Sequence, residues 1–154
     1  MKLGDKFSLG QKLASVQRQF GAGIVITLFC DFINEPKFKW ILIVAAQREY
    51  PLFFFINTDK PPMARHQPEI DNQQLRLEKA VEPFLDHDSW LDCSTVYDNF
   101  EIGEIEEALV SKIELIKGFI SKQTVEAILD LIMDADSLEP RHMNAISTEL
   151  SVLL

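Results

Sequence analysis

The period of the apolar positions changes along this chain, and the changes divide it into elements. From Ser8 to Phe20, Leu9, Leu13, Val16 and Phe20 recur at near-helical spacing with Lys12, Gln17 and Arg18 between them, which predicts a short amphipathic helix. Gly21-Ala22-Gly23 breaks that pattern. Ile24–Phe29 is β-branched and aromatic and predicts a strand, closed by a turn at Asn34-Glu35-Pro36. Phe38–Ala46 and Leu52–Asn57 predict a second and a third strand, separated by the polar run Gln47–Tyr50 and Pro51. Both are nearly continuous in apolar residues, as expected of strands buried on both faces or curled into a tight barrel.

From Asp59 to Gln73 the pattern stops, and Pro61, Pro62 and Pro68 predict a long irregular loop. Leu75 and Leu77 alternate with Gln74, Arg76 and Glu78 as in a half-buried strand; Glu78–Val81 leaves a helical extension open, and Pro83 ends either one. Trp90–Ser94 predicts a fifth strand. After Phe100 helical spacing returns. Ile105, Leu109, Ile113 and Ile116 mark one helical face over Glu104–Leu115, closed by Lys117-Gly118. Ser121 is the expected N-cap of a second helix with Val125, Ile128, Leu129 and Ile132 inside. Ser137 is the expected cap of a third, with Pro140 in its first turn and Met143, Ile146, Leu150 and Leu153 on its apolar face. The expected fold is α+β: a small curled β-barrel over residues 1–100, then a helical tail over residues 101–154 packed on it.

Composition bounds this picture. A hydrophobic fraction of 47 % and 11 Phe in 154 residues supply a packed core. The longest apolar runs, Ile41–Ala46 and Leu52–Ile56, fall far short of the roughly 20 residues of a spanning helix, so no membrane partner is expected. Met1–Gly10 has no continuous apolar region, and with no signal peptide expected the protein is placed in the cytoplasm. Cys30 and Cys93 are then expected as two buried thiols. Charge is uneven. Residues 1–60 hold eight Lys/Arg against five Asp/Glu (+3), and residues 61–154 hold seven against nineteen (−12). A polyanion would approach the first part and be repelled by the second.

Gly23-Ile24-Val25-Ile26, then Phe38-Lys39-Trp40-Ile41-Leu42-Ile43-Val44, then Phe53-Phe54-Phe55-Ile56-Asn57-Thr58 together resemble the opening of the PemK/MazF-like toxin family. Phe84–Ser94 resembles a further stretch of that group, so the likeness spans roughly residues 21–100. The resemblance implies an SH3-like barrel, a homodimer, an antitoxin partner and metal-independent endoribonuclease activity on single-stranded RNA. The family's Arg-Pro before its second apolar strand is Lys39-Trp40 here, and its strand-end Thr or Ser is Thr58. Lysine keeps the charge of arginine and loses its planar fork.

RNA cleavage without metal needs a proton-transfer group near the 2′-hydroxyl and a cation on the phosphate. Lys39, Thr58 and His66 are the candidate catalytic residues, with Arg48 and Arg65 as candidate RNA contacts. Asp86, Asp88 and Asp92 around His87 superficially suggest a metal site, but too few ligands accompany them for one to be expected. Trp40 and Trp90 are expected in the core. No P-loop, GxGxxG, GxSxG or HExxH pattern occurs, and no cofactor is expected. The alternative function is a non-catalytic protein-binding module on the same barrel, its basic face masked by the acidic tail.

Overall fold

The computed structural model describes residues 8–154, so most of the polar start Met1–Gly10 lies outside the described residues. Helix α1 (Leu9–Gln19) leads into an antiparallel meander of β1 (Ile24–Cys30), β2 (Lys37–Ala45) and β3 (Leu52–Asn57). A short helix α2 (Pro68–Asp71) precedes β4 (Gln74–Leu77) and β5 (Ser89–Tyr97). Then come α3 (Ile102–Ser111), β6 (Ile116–Phe119), α4 (Lys122–Met133) and α5 (Pro140–Ser151). The strands form one curled antiparallel sheet, a half-barrel in the order β4-β5-β3-β2-β1-β6, with β4 and β6 as its edges. The chain is therefore mixed α+β.

The unbroken apolar runs of β2 and β3 are explained by cover on both faces. Val25, Leu42 and Phe54 stand in register on one face, beneath Val125, Ile128 and Ile132 of α4 and Ile146 and Leu150 of α5. Ile26, Ile41 and Phe55 stand in register on the other, with Val16 of α1 and Ile105 and Leu109 of α3 in the same core. Phe53 and Phe54 are adjacent, point to opposite cores and are both fully buried. Each contributes about 1.5–3 kcal/mol of apolar burial.

Local chemistry sets the element ends. Ser8 and Gln11 close a capping box on α1, with Gln11 N donating to Ser8 Oγ at 3.1 Å and Ser8 N donating to Gln11 Oε1 at 2.9 Å. The stretch expected to be irregular contains a 3₁₀ turn (Pro62–Arg65) and α2, each opened by a proline at a first position, where its fixed φ suits a helix and its missing N–H costs nothing. Glu78–Val81 forms no helix. The helix expected to reach Leu115 stops at Ser111, and Ile116 enters β6 against β1. A Cβ on Gly118 would lie 2.6 Å from the Phe84 ring, so this strand passes only with glycine there. The cap of α5 is Glu139 rather than Ser137, directly before Pro140.

One buried carboxylate ties the second half of the chain to the first. Glu82 is 1 % exposed and sits at the start of α4. It accepts from Ser121 N at 3.1 Å, Ser121 Oγ at 2.7 Å and Thr124 Oγ1 at 2.6 Å. Ser121 Oγ in turn accepts from Thr124 N as the N-cap of α4, as its sequence position predicts. A negative charge is favoured at this helix end. Glu82→Ala removes the acceptor of the buried Thr124 hydroxyl and of the part-buried Ser121 N–H and hydroxyl, and should lower unfolding free energy by about 3 kcal/mol in urea titration, whereas exposed Lys122→Ala should leave it unchanged.

Cys30 and Cys93 are free and buried, in the cores on opposite faces of the sheet. Burial pushes the Cys30 thiol up to about 11, with Lys39 opposing and Asp31 adding, and burial pushes Cys93 up further still. Both folded-state values lie above the unfolded one, so this contribution to stability is complete below about pH 9 and is lost as pH rises through the folded values. Neither thiol should react with a thiol-specific disulfide reagent in the native protein at pH 8, and both should react in denaturant.

Candidate functional site

β2 begins Lys37-Phe38-Lys39-Trp40, and strand alternation sends Lys39 and Trp40 to opposite faces. Lys39 lies on the face of Ile41 and Ile43. Its Nζ donates to Asn57 Oδ1 at 2.5 Å and stands 5.0 Å from the centre of the Phe55 ring. Half-burial lowers the Lys39 pKa from its ordinary value, and Lys37 lowers it further, against the pull of Cys30 and Asp92. No carboxylate pairs with it among the described residues. Phe55 itself belongs to an aromatic floor with Phe32, Phe53, Tyr97 and Phe100, in which Phe55 and Tyr97 have centroids 4.4 Å apart.

Register extends this face across four strands. Asn57 stands opposite Trp90, and Trp90 opposite Arg76, so Lys39, Asn57, Trp90 and Arg76 form a transverse row spanning about 15 Å. Lys60 and Arg76 sit over the Trp90 ring, at 4.6 and 5.3 Å from its centre. Lys60 also pairs with Asp71 at 2.8 Å and Arg76 with Asp88 at 3.1 Å. The Lys79 backbone N–H, helped by Arg76, holds the Asp88 carboxyl below its usual range. The next row carries Asp92 between Phe55 and Gln74. Asp92 is buried, and its Oδ1 accepts from Gln74 Nε2 at 2.8 Å, Ser94 N at 3.0 Å and Ser94 Oγ at 2.5 Å. Its Oδ2 makes no hydrogen bond among the described residues.

The other face of the same strand end differs. Thr58 lines a cavity of about 80 Å³ with Trp40, Ile56, Leu85, Asp86 and His87. His87 Nδ1 lies 2.9 Å from Asp88 O. Lys117 stands over the Trp40 ring at 5.4 Å, and exposed Phe29 and Phe38 meet edge to face nearby on the β1–β2 ladder.

The structure thus places Lys39 and Thr58 at one end of the sheet, with Thr58 beside His87. His66 and Arg65 are exposed around the 3₁₀ turn; neither lines that cavity, and neither side chain has a hydrogen bond or ion pair among the described residues. Arg48 is exposed in the β2–β3 turn, about 20 Å along β2 from Lys39. Asp86 and Asp88 precede the first residue of β5, whereas Asp92 lies within it. Trp40 is half-buried and packs against the α4-side core with Lys117 over its ring, as expected of a core contact, whereas Trp90 is half-buried under Lys60 and Arg76. Sequence reasoning did not assign Asn57, Arg76 or Asp92 to the site. The available signals were a carboxylate inside the apolar strand Trp90–Ser94 and the Gln74/Arg76 alternation.

Comparison with protein-family models, with curated proteins and with solved structures finds no match to this chain. Among the described residues no helix is long and apolar enough to cross a membrane, and no group of three or more His, Cys, Asp and Glu is arranged to hold a metal ion.

The Lys39 environment has a measurable consequence. Its folded pKa lies below its unfolded value, so the unfolded chain binds more protons between the two. The penalty for the charged form is full at neutral pH and vanishes as pH rises through that window. The Lys39 Nζ resonance should titrate at lower pH in the folded protein than in the unfolded chain, and wild type should gain stability relative to Lys39→Met between the two pKa values.

Proposed function

We propose that this chain is a toxin-like endoribonuclease that binds single-stranded RNA across the Lys39–Asn57–Trp90–Arg76 row and cleaves it without metal. The carrying observation is Lys39: a half-buried ammonium with no carboxylate partner among the described residues, seated on Phe55 and aligned with the Lys60 and Arg76 cations over Trp90. Cations interleaved with aromatic faces suit a strand whose phosphates need charge and whose bases stack. The meander that carries Lys39 and Thr58 to one sheet end also supports the finer reading of an SH3-like barrel with an appended helical region.

In this proposal Lys39 stabilises charge on the phosphorane. Asp92 Oδ2, the uncommitted carboxylate oxygen on the same face, takes the proton of the 2′-hydroxyl as its oxygen attacks phosphorus. The bond to the 5′-oxygen breaks, that oxygen receives a proton from water, and a 2′,3′-cyclic phosphate remains. His66 has no place in this step, because it lies outside the row. The alternative of a barrel masked by its acidic tail rests on charge alone: among the described residues, no ion pair joins residues 101–154 to a cation before them.

The test is incubation of the purified chain with a labelled mixed-sequence single-stranded RNA, with and without EDTA. Cleavage should persist in EDTA, leave cyclic-phosphate ends, and fall at least about a hundredfold in Lys39→Ala and Asp92→Asn. Binding without cleavage would leave a non-catalytic RNA-binding module, and absence of binding would overturn the proposal.

A further inference from the structure

The outer side of β4 opens on a groove of about 910 Å³ whose far wall is α4. Half-buried Leu75 and Leu131 give it an apolar floor. Four carboxylates stand around that floor, those of Glu69, Asp130, Asp134 and Asp136, and among the described residues no Lys, Arg or His lines it. None of the four has a hydrogen bond or ion pair through its side chain among the described residues. Gln73, also in the lining, is 8 % exposed, and its Oε1 has no hydrogen-bond partner among the described residues. A buried acceptor without a partner costs free energy until a donor reaches it.

We propose that this groove docks an extended basic segment of a partner protein, added as a strand along β4. An unpaired edge strand beside a helix supplies backbone pairing, and the groove sorts side chains by alternation. Alternate Lys or Arg residues of the segment turn to the α4 face, lay their aliphatic stems on Leu75 and Leu131 and carry their charged heads to the carboxylates, and one of the segment's N–H groups reaches Gln73 Oε1. Charge complementarity selects this occupant. RNA is repelled here, and a second copy pairing through β4 would set one acidic groove against another, since β4 brings only Arg76 as a cation. The surface is separate from the RNA row: Gln74 and Arg76 of β4 point to the Lys39 face, whereas Leu75 and Leu77 point to the α4 face.

The test uses the full chain and two labelled octapeptides, one alternating Lys with Val and one alternating Glu with Val, read by fluorescence anisotropy. The basic peptide should bind and the acidic one should not. Asp130→Lys/Asp134→Lys, two exposed changes on α4 and its C-cap, should weaken binding about tenfold or more, because attraction becomes repulsion at two positions. Lys39→Ala should leave peptide binding unchanged, which separates this result from the fate of the RNA proposal. Failure of the basic peptide to bind, or equal binding by the double variant, would overturn the proposal. So would a dimer in sedimentation that the double variant dissociates, which would make a second copy the occupant.

Discussion

Ile41, Leu42, Ile43 and Val44 follow one another in β2, and Leu52, Phe53 and Phe54 in β3, and every one of them is fully buried. Because strand side chains alternate, such runs leave no face for water, and a two-layer packing would expose half of them. The rest of the molecule answers that requirement. α4 and α5 bury one face, and α1 and α3 bury the part of the other nearest β1 and β2. The two cores share only the sheet. Single carboxylates fasten the covering helices at its rim: Glu82 at the start of α4, and Glu149 of α5, which accepts from the backbone N–H of Ala46 at 2.8 Å.

The cover is incomplete where Phe32, Tyr97 and Phe100 replace helix, and there the polar row of Lys39, Asn57, Trp90 and Arg76 reaches the surface. The aromatic floor gives Lys39 its character. A lysine on an exposed strand edge would be fully hydrated, whereas this one lies on Phe55 with its ammonium oriented by an amide oxygen. The charge asymmetry of the sequence takes a spatial form as well, with the cations of this row on one face and the carboxylates of Asp130 and Asp134, on α4 and its C-cap, along the β4 edge of the other.

Elements with strong periodicity or a side-chain cap were legible in the chain: α1 with its Ser8 box, the three apolar strands, and α4 behind Ser121. β6 was not. Ile105, Leu109, Ile113 and Ile116 keep helical spacing beyond the real helix end, and the four residues of β6 are too few to show a period of their own. Tertiary pairing with β1 and the Phe84 ring over Gly118 decide that segment. The site was legible only in part. Lys39 was singled out through the resemblance, as the residue standing where the toxin family has the arginine of its Arg-Pro. Its neighbours Asn57, Trp90, Arg76 and Asp92 come from three other strands, and cross-strand register is invisible to spacing along one chain. His66 and Arg65, adjacent in sequence, suggested a cluster that the fold leaves at the surface.

The pairing of β1 with β6 bears on how the protein is made. Ile24 takes Phe119 as its partner, and the helices that roof β2 and β3 on one side come later still. During synthesis the most apolar part of the chain leaves the ribosome before its edge strand and its roof, and waits for both until Leu150 has emerged. Long-range closure of this kind slows folding. It also leaves a sticky, half-covered sheet on the nascent chain. The residues that complete the sheet therefore serve the growing polypeptide as much as the finished one, and a ribosome that stalls before Phe119 would release a fragment with every reason to aggregate.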